Sequence, residues 1–141
     1  MIDVRSLKDA QLDALREVAN IGAGHAATAL STMTGGTIMI TVPQLSITPI
    51  EEVTAHGLHP EEPVAAVLMH MLGDLSGQTM LLFAADAAMR LSEMMLRRPV
   101  GASSKLGEME QSAVKEAGNI LSGAYMNALS DFMGLVLLPS P

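Results

Sequence analysis

The sequence predicts an α+β domain with a duplicated, pseudo-two-fold plan, in which long helices pack on a mainly antiparallel sheet and the second repeat is incomplete. Three observations carry that expectation. Two long stretches, 6–33 and about 108–133, place apolar residues at the helical period. Between them, two short runs rich in strand-forming residues flank a Gly/Asp/Ser turn. The helical stretches also resemble each other at an offset of 99 residues: Asn20-Ile21 matches Asn119-Ile120, Gly24 matches Gly123, Ala29-Leu30-Ser31 matches Ala128-Leu129-Ser130, and Gly35 matches Gly134. Residues 1–141 are read as one domain, with repeat one at about 6–99 and the start of repeat two at about 104–141.

In chain order, Leu12, Leu15, Ala19, Ala26, Leu30 and Met33 recur at spacings of three, four or their sum, which makes 6–33 a helix. Ser6 with Asp9 is read as a capping box, and Gly35-Gly36 as a left-handed stop. Residues 37–42 are rich in β-branched side chains and end at Pro43, so a strand is expected there, followed by a loop closed by Pro60-Glu61-Glu62-Pro63. Residues 64–72 and 78–85, joined through Gly73 to Gly77, read as a β-hairpin. A short helix at 86–96, a polar linker at 101–105 and the second long helix follow, and 135–138 repeats the first strand.

Composition narrows the function. At 49% hydrophobic residues, the 141-residue chain can bury a core. A net charge of −7 without any basic stripe argues against nucleic acid as a partner. The absence of cysteine excludes disulfides, thiolate nucleophiles and Cys-bound metals, and fits a cytoplasmic protein. The N-terminal residues lack the apolar run of a secretory signal, and 64–72 and 79–85 fall well short of the roughly 20 residues of a membrane-spanning helix, so no membrane insertion is expected. The twelve methionines are assigned mainly to core packing.

The chemistry-bearing pattern lies on the two long helices. At about 100° per residue, Asp13, Glu17 and Asn20 fall within an arc of about 60°, roughly opposite Leu12, Leu15, Ala19, Gly22, Ala26 and Leu30. Ser112, Glu116 and Asn119 repeat the arrangement opposite Val114, Ala117, Leu121, Ala124 and Ala128. A solvated helix face must hold some polar residues, so either trio alone is ordinary. Their repetition with intact spacing is not, and Asn is a poor helix former that solubility does not require at equivalent interior positions.

The pattern Asp/Ser-x3-Glu-x2-Asn, followed 23 residues later by Pro43, resembles the active-site motif of the CheC/CheX/FliY chemotaxis phosphatases, most closely that of CheC. Two copies in one chain resemble CheC and FliY more than CheX. The likeness runs through NIGAGHAATALS around Asn20 and NILSGAYMNALS around Asn119. It implies a cytoplasmic hydrolase that removes the phosphoryl group from the aspartate of a CheY-type response regulator. Glu17, Asn20, Glu116 and Asn119 are then the catalytic residues, with Asp13, Ser112 and Pro43 supporting the motif. No cofactor or metal is expected on this chain, because the Mg²⁺ belongs to the regulator. Asn would orient a water, and Glu would pair with the regulator's active-site lysine. The family also implies an alternative, a non-catalytic module that binds the CheD deamidase or flagellar switch components. Members are generally longer, the second proline would fall at position 142 rather than at Pro141, and no FliN-like extension is present. A shortened second repeat would expose a sheet edge, through which a homo-oligomer could form.

Other signals point nowhere specific. Gly22-x-Gly24-x-x-Ala27 mimics a dinucleotide fingerprint but lies inside a helical pattern, where glycine serves close packing. His56-x2-His59 has ligand-like spacing without a third ligand in register. His25 and His70 carry no motif, and Ser31 and Ser130 lack a nucleophile elbow.

Overall fold

The computed structural model describes residues 6–41, 44–55 and 61–140. Its elements are α1 (Asp9–Thr34), a 3₁₀ turn (Ile50–Ala55), β1 (Val64–Gly73), β2 (Gly77–Ala84), α2 (Ala85–Met95), α3 (Glu108–Met133) and β3 (Leu137–Ser140). The architecture is α+β, as the sequence predicts: a three-stranded antiparallel sheet in the order β2-β1-β3 with helices on one face. None of the helices is long and apolar enough to cross a membrane, among the described residues.

The two long helices correspond closely. Each is 26 residues long, they start at positions 99 apart, and each ends on a left-handed glycine. Gly35 (φ 70°) and Gly134 (φ 68°) donate their N–H groups to the carbonyls of Ser31 and Ser130. The start of α1 departs from expectation. Lys8, not Ser6, is the N-cap, and the Gln11 side chain accepts the Lys8 N–H at 2.9 Å, supplying the reciprocal half of a capping box that Ser6 and Asp9 were expected to form.

The β1–β2 hairpin runs in register from Val64↔Ala84 to Met71↔Gly77. β3 covers only the last part of β1, from His70↔Ser140 to Gly73↔Leu137, and begins two residues later than expected. Val136 is occupied by the hairpin turn instead: it accepts the Asp74 N–H at 2.9 Å and donates to Asp74 Oδ2 at 2.8 Å. The strand expected at 37–42 is not formed at 37–41, while Val42 and Pro43 lie outside the described residues. At the repeat offset, residues 38–41 correspond to β3, which pairs with β1, whereas among the described residues no strand pairs with 38–41. The Ile38 N–H bonds instead to Ser31 Oγ at 2.8 Å.

The core is built on one sheet face, where Val67 and Met69 of β1 meet Ala88 of α2 and Val114 of α3, with Ala65, Leu81, Phe83 and Leu106 around them. Two glycines set the layer spacing. A Cβ on Gly118 would lie 2.7 Å from Val67 Cγ1, so α3 rests directly on β1. A Cβ on Gly22 would lie 2.7 Å from Tyr125 Cδ1 and 3.1 Å from its Cα, so α1 rests directly on α3. α1 forms an outer layer whose buried line is Val18, Gly22, Ala23, Ala26 and Leu30. Leu12, Leu15 and Ala19, expected in the core, are half-buried, because α1 packs mainly on α3 and slightly on α2, outside the layer that rests on the sheet.

Glu93 of α2 is 1% exposed, and its carboxylate accepts the N–H groups of Gly101 and Ser103 at 3.0–3.2 Å, which fixes the linker into α3. Arg98 Nη1 then meets Glu110 Oε1 at 2.7 Å in the first turn of α3. The Glu110 backbone N–H and the Arg98 guanidinium hold the Glu110 carboxyl below its ordinary 4.5. A depressed folded-state value stabilises the fold above the unfolded value, and this contribution disappears as pH falls through the folded one. Melting temperature followed from pH 7 downward should therefore show an acid loss beginning below about pH 4.5 that Glu110→Gln removes in part. Gly118→Ala should destabilise by about 1–3 kcal/mol in urea unfolding, because Val67 and β1 must move to admit the methyl group.

A candidate active site on two helix faces

The line Val18, Gly22, Ala26, Leu30 turns one side of α1 toward α3, and the polar residues on the far arc are left in solvent. Asp13, Glu17 and Asn20 are all exposed there. Asp13 is engaged locally, with Arg16 Nη1 on its Oδ1 at 2.7 Å; such an exposed i,i+3 pair contributes little stability. Its i,i+3 spacing is the sequence signal for such a pair. The side chains of Glu17 and Asn20 form no hydrogen bond or ion pair with another described residue. They lie one helical turn apart on a convex ridge, a carboxylate and a carboxamide with their bonding capacity uncommitted.

On α3, Ser112 and Glu116 are exposed in the same way. Asn119 is not equivalent to Asn20. It is half-buried, and its Oδ1 is closed off from solvent without a hydrogen-bond partner. The difference follows from the layers. α3 carries the sheet, α2 and α1 on its sides, so Ala113, Val114, Ala117, Gly118 and Ser122 are buried around this stretch and position 119 falls at the margin of a narrower free arc. Pro43, the last member of the sequence motif, lies outside the described residues, as do His56 and His59.

Apart from Asn119, the described motif residues stand on exposed helix faces. A groove of about 440 Å³ runs beside residues 64–68 of β1, with Leu106, Gln111, Val114 and Lys115 on its other wall, and it contains none of the motif residues. Among the described residues, no group of three or more His, Asp or Glu side chains could hold a metal ion. An exposed acid and amide one turn apart suit contact with a group held by another molecule.

The sequence profile of the CheC-like family matches residues 11–47 and 109–141, the two segments that carry the Glu/Asn ridges. The chain belongs to the CheC-like family. It is 36% identical over 136 residues to the CheY-P phosphatase CheC of Bacillus subtilis, a match that covers 95% of this chain and 65% of the relative. It is 31% identical over 129 residues to the flagellar motor switch phosphatase FliY of the same organism, covering 91% of this chain and 33% of that one. This CheC-like chain thus spans 65% and 33% of the lengths of these two relatives. Among solved structures it superposes on Thermotoga maritima FliY with a TM-score of 0.82 at 27% identity, covering 96% of this chain and 68% of the other. A chemotaxis protein CheX from Desulfovibrio desulfuricans shares the fold at TM-score 0.59 and 21% identity, with 88% and 73% covered.

The unequal burial of the two amides has a consequence for stability. Replacing Asn119 by alanine removes a buried, unsatisfied acceptor and a poor helix former together, and should gain about 1–2 kcal/mol in urea unfolding. Asn20→Ala, which removes only the helix-propensity deficit, should gain about 0.5 kcal/mol.

Proposed function

We propose that this chain accelerates hydrolysis of the phosphoaspartate of a phosphorylated CheY-type response regulator, with Asn20 positioning the attacking water. The observation that carries this reading is the uncommitted Glu17–Asn20 pair, presented outward on a helix whose family includes a Bacillus CheY-P phosphatase. The regulator supplies its own Mg²⁺ and lysine, and hydrolysis mainly lacks a water held in line with the breaking P–O bond. A carboxamide suits that task, because it both donates and accepts hydrogen bonds and is too weak a base to trap the proton. Glu17 sits one turn earlier, where it pairs with the regulator's lysine in a charge-assisted contact and sets how deeply the ridge enters.

Glu116 and Asn119 offer the same pair on α3. The Asn119 acceptor is closed off, so the α3 ridge acts less strongly unless docking turns that amide outward. The same closure favours, for α3 only, the alternative role of a docking face for CheD or a flagellar switch component without catalysis of its own.

Positioning contacts of about 1–3 kcal/mol imply an acceleration of roughly ten- to a few-hundredfold over the regulator's own hydrolysis. Phosphate release from phosphorylated regulator should lose that acceleration when Asn20 and Asn119 are both replaced by alanine, and Asn20→Ala alone should cost more than Asn119→Ala. Acceleration that survives in the double variant would remove the water-positioning role, and an intact chain that releases no extra phosphate would leave only the docking reading.

A further inference from the structure

The interior glycines of the long helices fall into two kinds. Gly22 and Gly118 are there for packing, since a Cβ on either would lie 2.7 Å from a neighbouring side chain. These two do not correspond across the repeat: Gly22 matches Leu121, and Gly118 matches Ala19. Gly24 and Gly123 behave in the opposite way. A Cβ on either would meet nothing within 4 Å, yet the two match each other at the repeat offset. Neither has a left-handed backbone that would demand glycine. Within a helix, glycine is inferior to alanine unless something excludes the methyl group, and nothing in the described chain excludes it at either position.

Position 24 lies on the helix projection between Glu17 and Asn20, one turn beyond Asn20. The carbonyl of Gly24 also accepts Thr28 Oγ1 at 3.0 Å, so its backbone is held in place although its side is bare. On α3, Gly123 stands in the same relation to Glu116 and Asn119. Each ridge therefore carries an acid, an amide and a cleared step, in that order. An amide side chain can be pushed down onto a phosphoryl group only if the helix backbone beyond it approaches the partner's surface, and a side chain one turn further would hold the two apart.

We infer that Gly24 and Gly123 are the contact points at which the regulator's surface meets the helix backbone, and that their missing side chains set how far each Asn enters the regulator's active site. The inference rests on the phosphatase reading for the identity of the partner, but it concerns docking, which can be measured without hydrolysis. It makes Gly24 a positioning residue whose bareness matters for recognition rather than for folding.

The test uses the full chain with Gly24→Ala, Gly24→Leu and Gly123→Ala. Gly24→Ala should raise the melting temperature by about 3 °C, because a better helix former enters open space. The same variant should raise the KM for phosphorylated regulator several-fold, and Gly24→Leu should raise it by more than about tenfold and lower kcat, as the spacer lengthens. Binding to regulator trapped with beryllium fluoride should weaken in the same order. A fall in melting temperature with Gly24→Ala would show a structural role and overturn the inference. A Gly24→Leu variant whose KM and trapped-regulator affinity stay within about twofold would overturn it while leaving the phosphatase reading intact. An intact chain that binds trapped regulator without releasing phosphate, and loses that binding in Gly24→Leu, would support the inference and sink the phosphatase reading. An intact chain that neither binds nor hydrolyses would overturn both.

Discussion

The contact on which the arrangement depends is the approach of α1 to α3 at Gly22, where the Tyr125 ring and backbone occupy the space a side chain would need. It is a helix-on-helix contact: among the described residues α1 is held mainly by α3, with a small contribution from α2. Burial at this contact also leaves Tyr125 desolvated, which pushes its phenol above the ordinary 10.0. Because the apolar line of α1 is spent on α3, its opposite arc has nothing to pack against and remains a ridge. The same logic applied to α3 gives a different result, because α3 is shared by the sheet, α2 and α1. Two matching motifs thus stand on unequal faces, because α3 is covered on more sides than α1.

The fold was legible where local periodicity decides structure. Both long helices, the hairpin and the short α2 follow from apolar spacing and turn chemistry, and the boundaries of α3 were read from Glu108 and Gly134 alone. Sequence reading went astray where structure depends on a partner element. Residues 37–41 have strand composition, but a strand needs a ladder, and among the described residues no strand pairs with them. Leu12 and Leu15 have core spacing, but burial needs a covering surface that α1 does not meet at that end.

The motif residues were legible for the same reason as the helices: Glu17 and Asn20 need only helical geometry to share a face. The closure around Asn119 was not, since it arises from three neighbours of α3 that periodicity does not reveal. The bare steps at Gly24 and Gly123 were visible as matched glycines. Only coordinates separate them from the packing glycines beside them, because an excluded Cβ and a free one look alike in sequence. A ridge of this kind suits chemistry in which most of the catalytic apparatus belongs to the substrate protein. In the proposed reading little has to be buried, and the contribution of the chain is the placement of one amide.

The most direct measurement is a crystal structure of the chain bound to response regulator trapped with beryllium fluoride. The account predicts that the α1 ridge enters the regulator's site, with the Asn20 amide about 3 Å from a water, or from the water's place, in line with the Asp–beryllium bond, and with the Gly24 backbone against the regulator surface. A complex in which α1 turns Glu17 and Asn20 to solvent, while another surface covers the phosphoryl mimic, would contradict it.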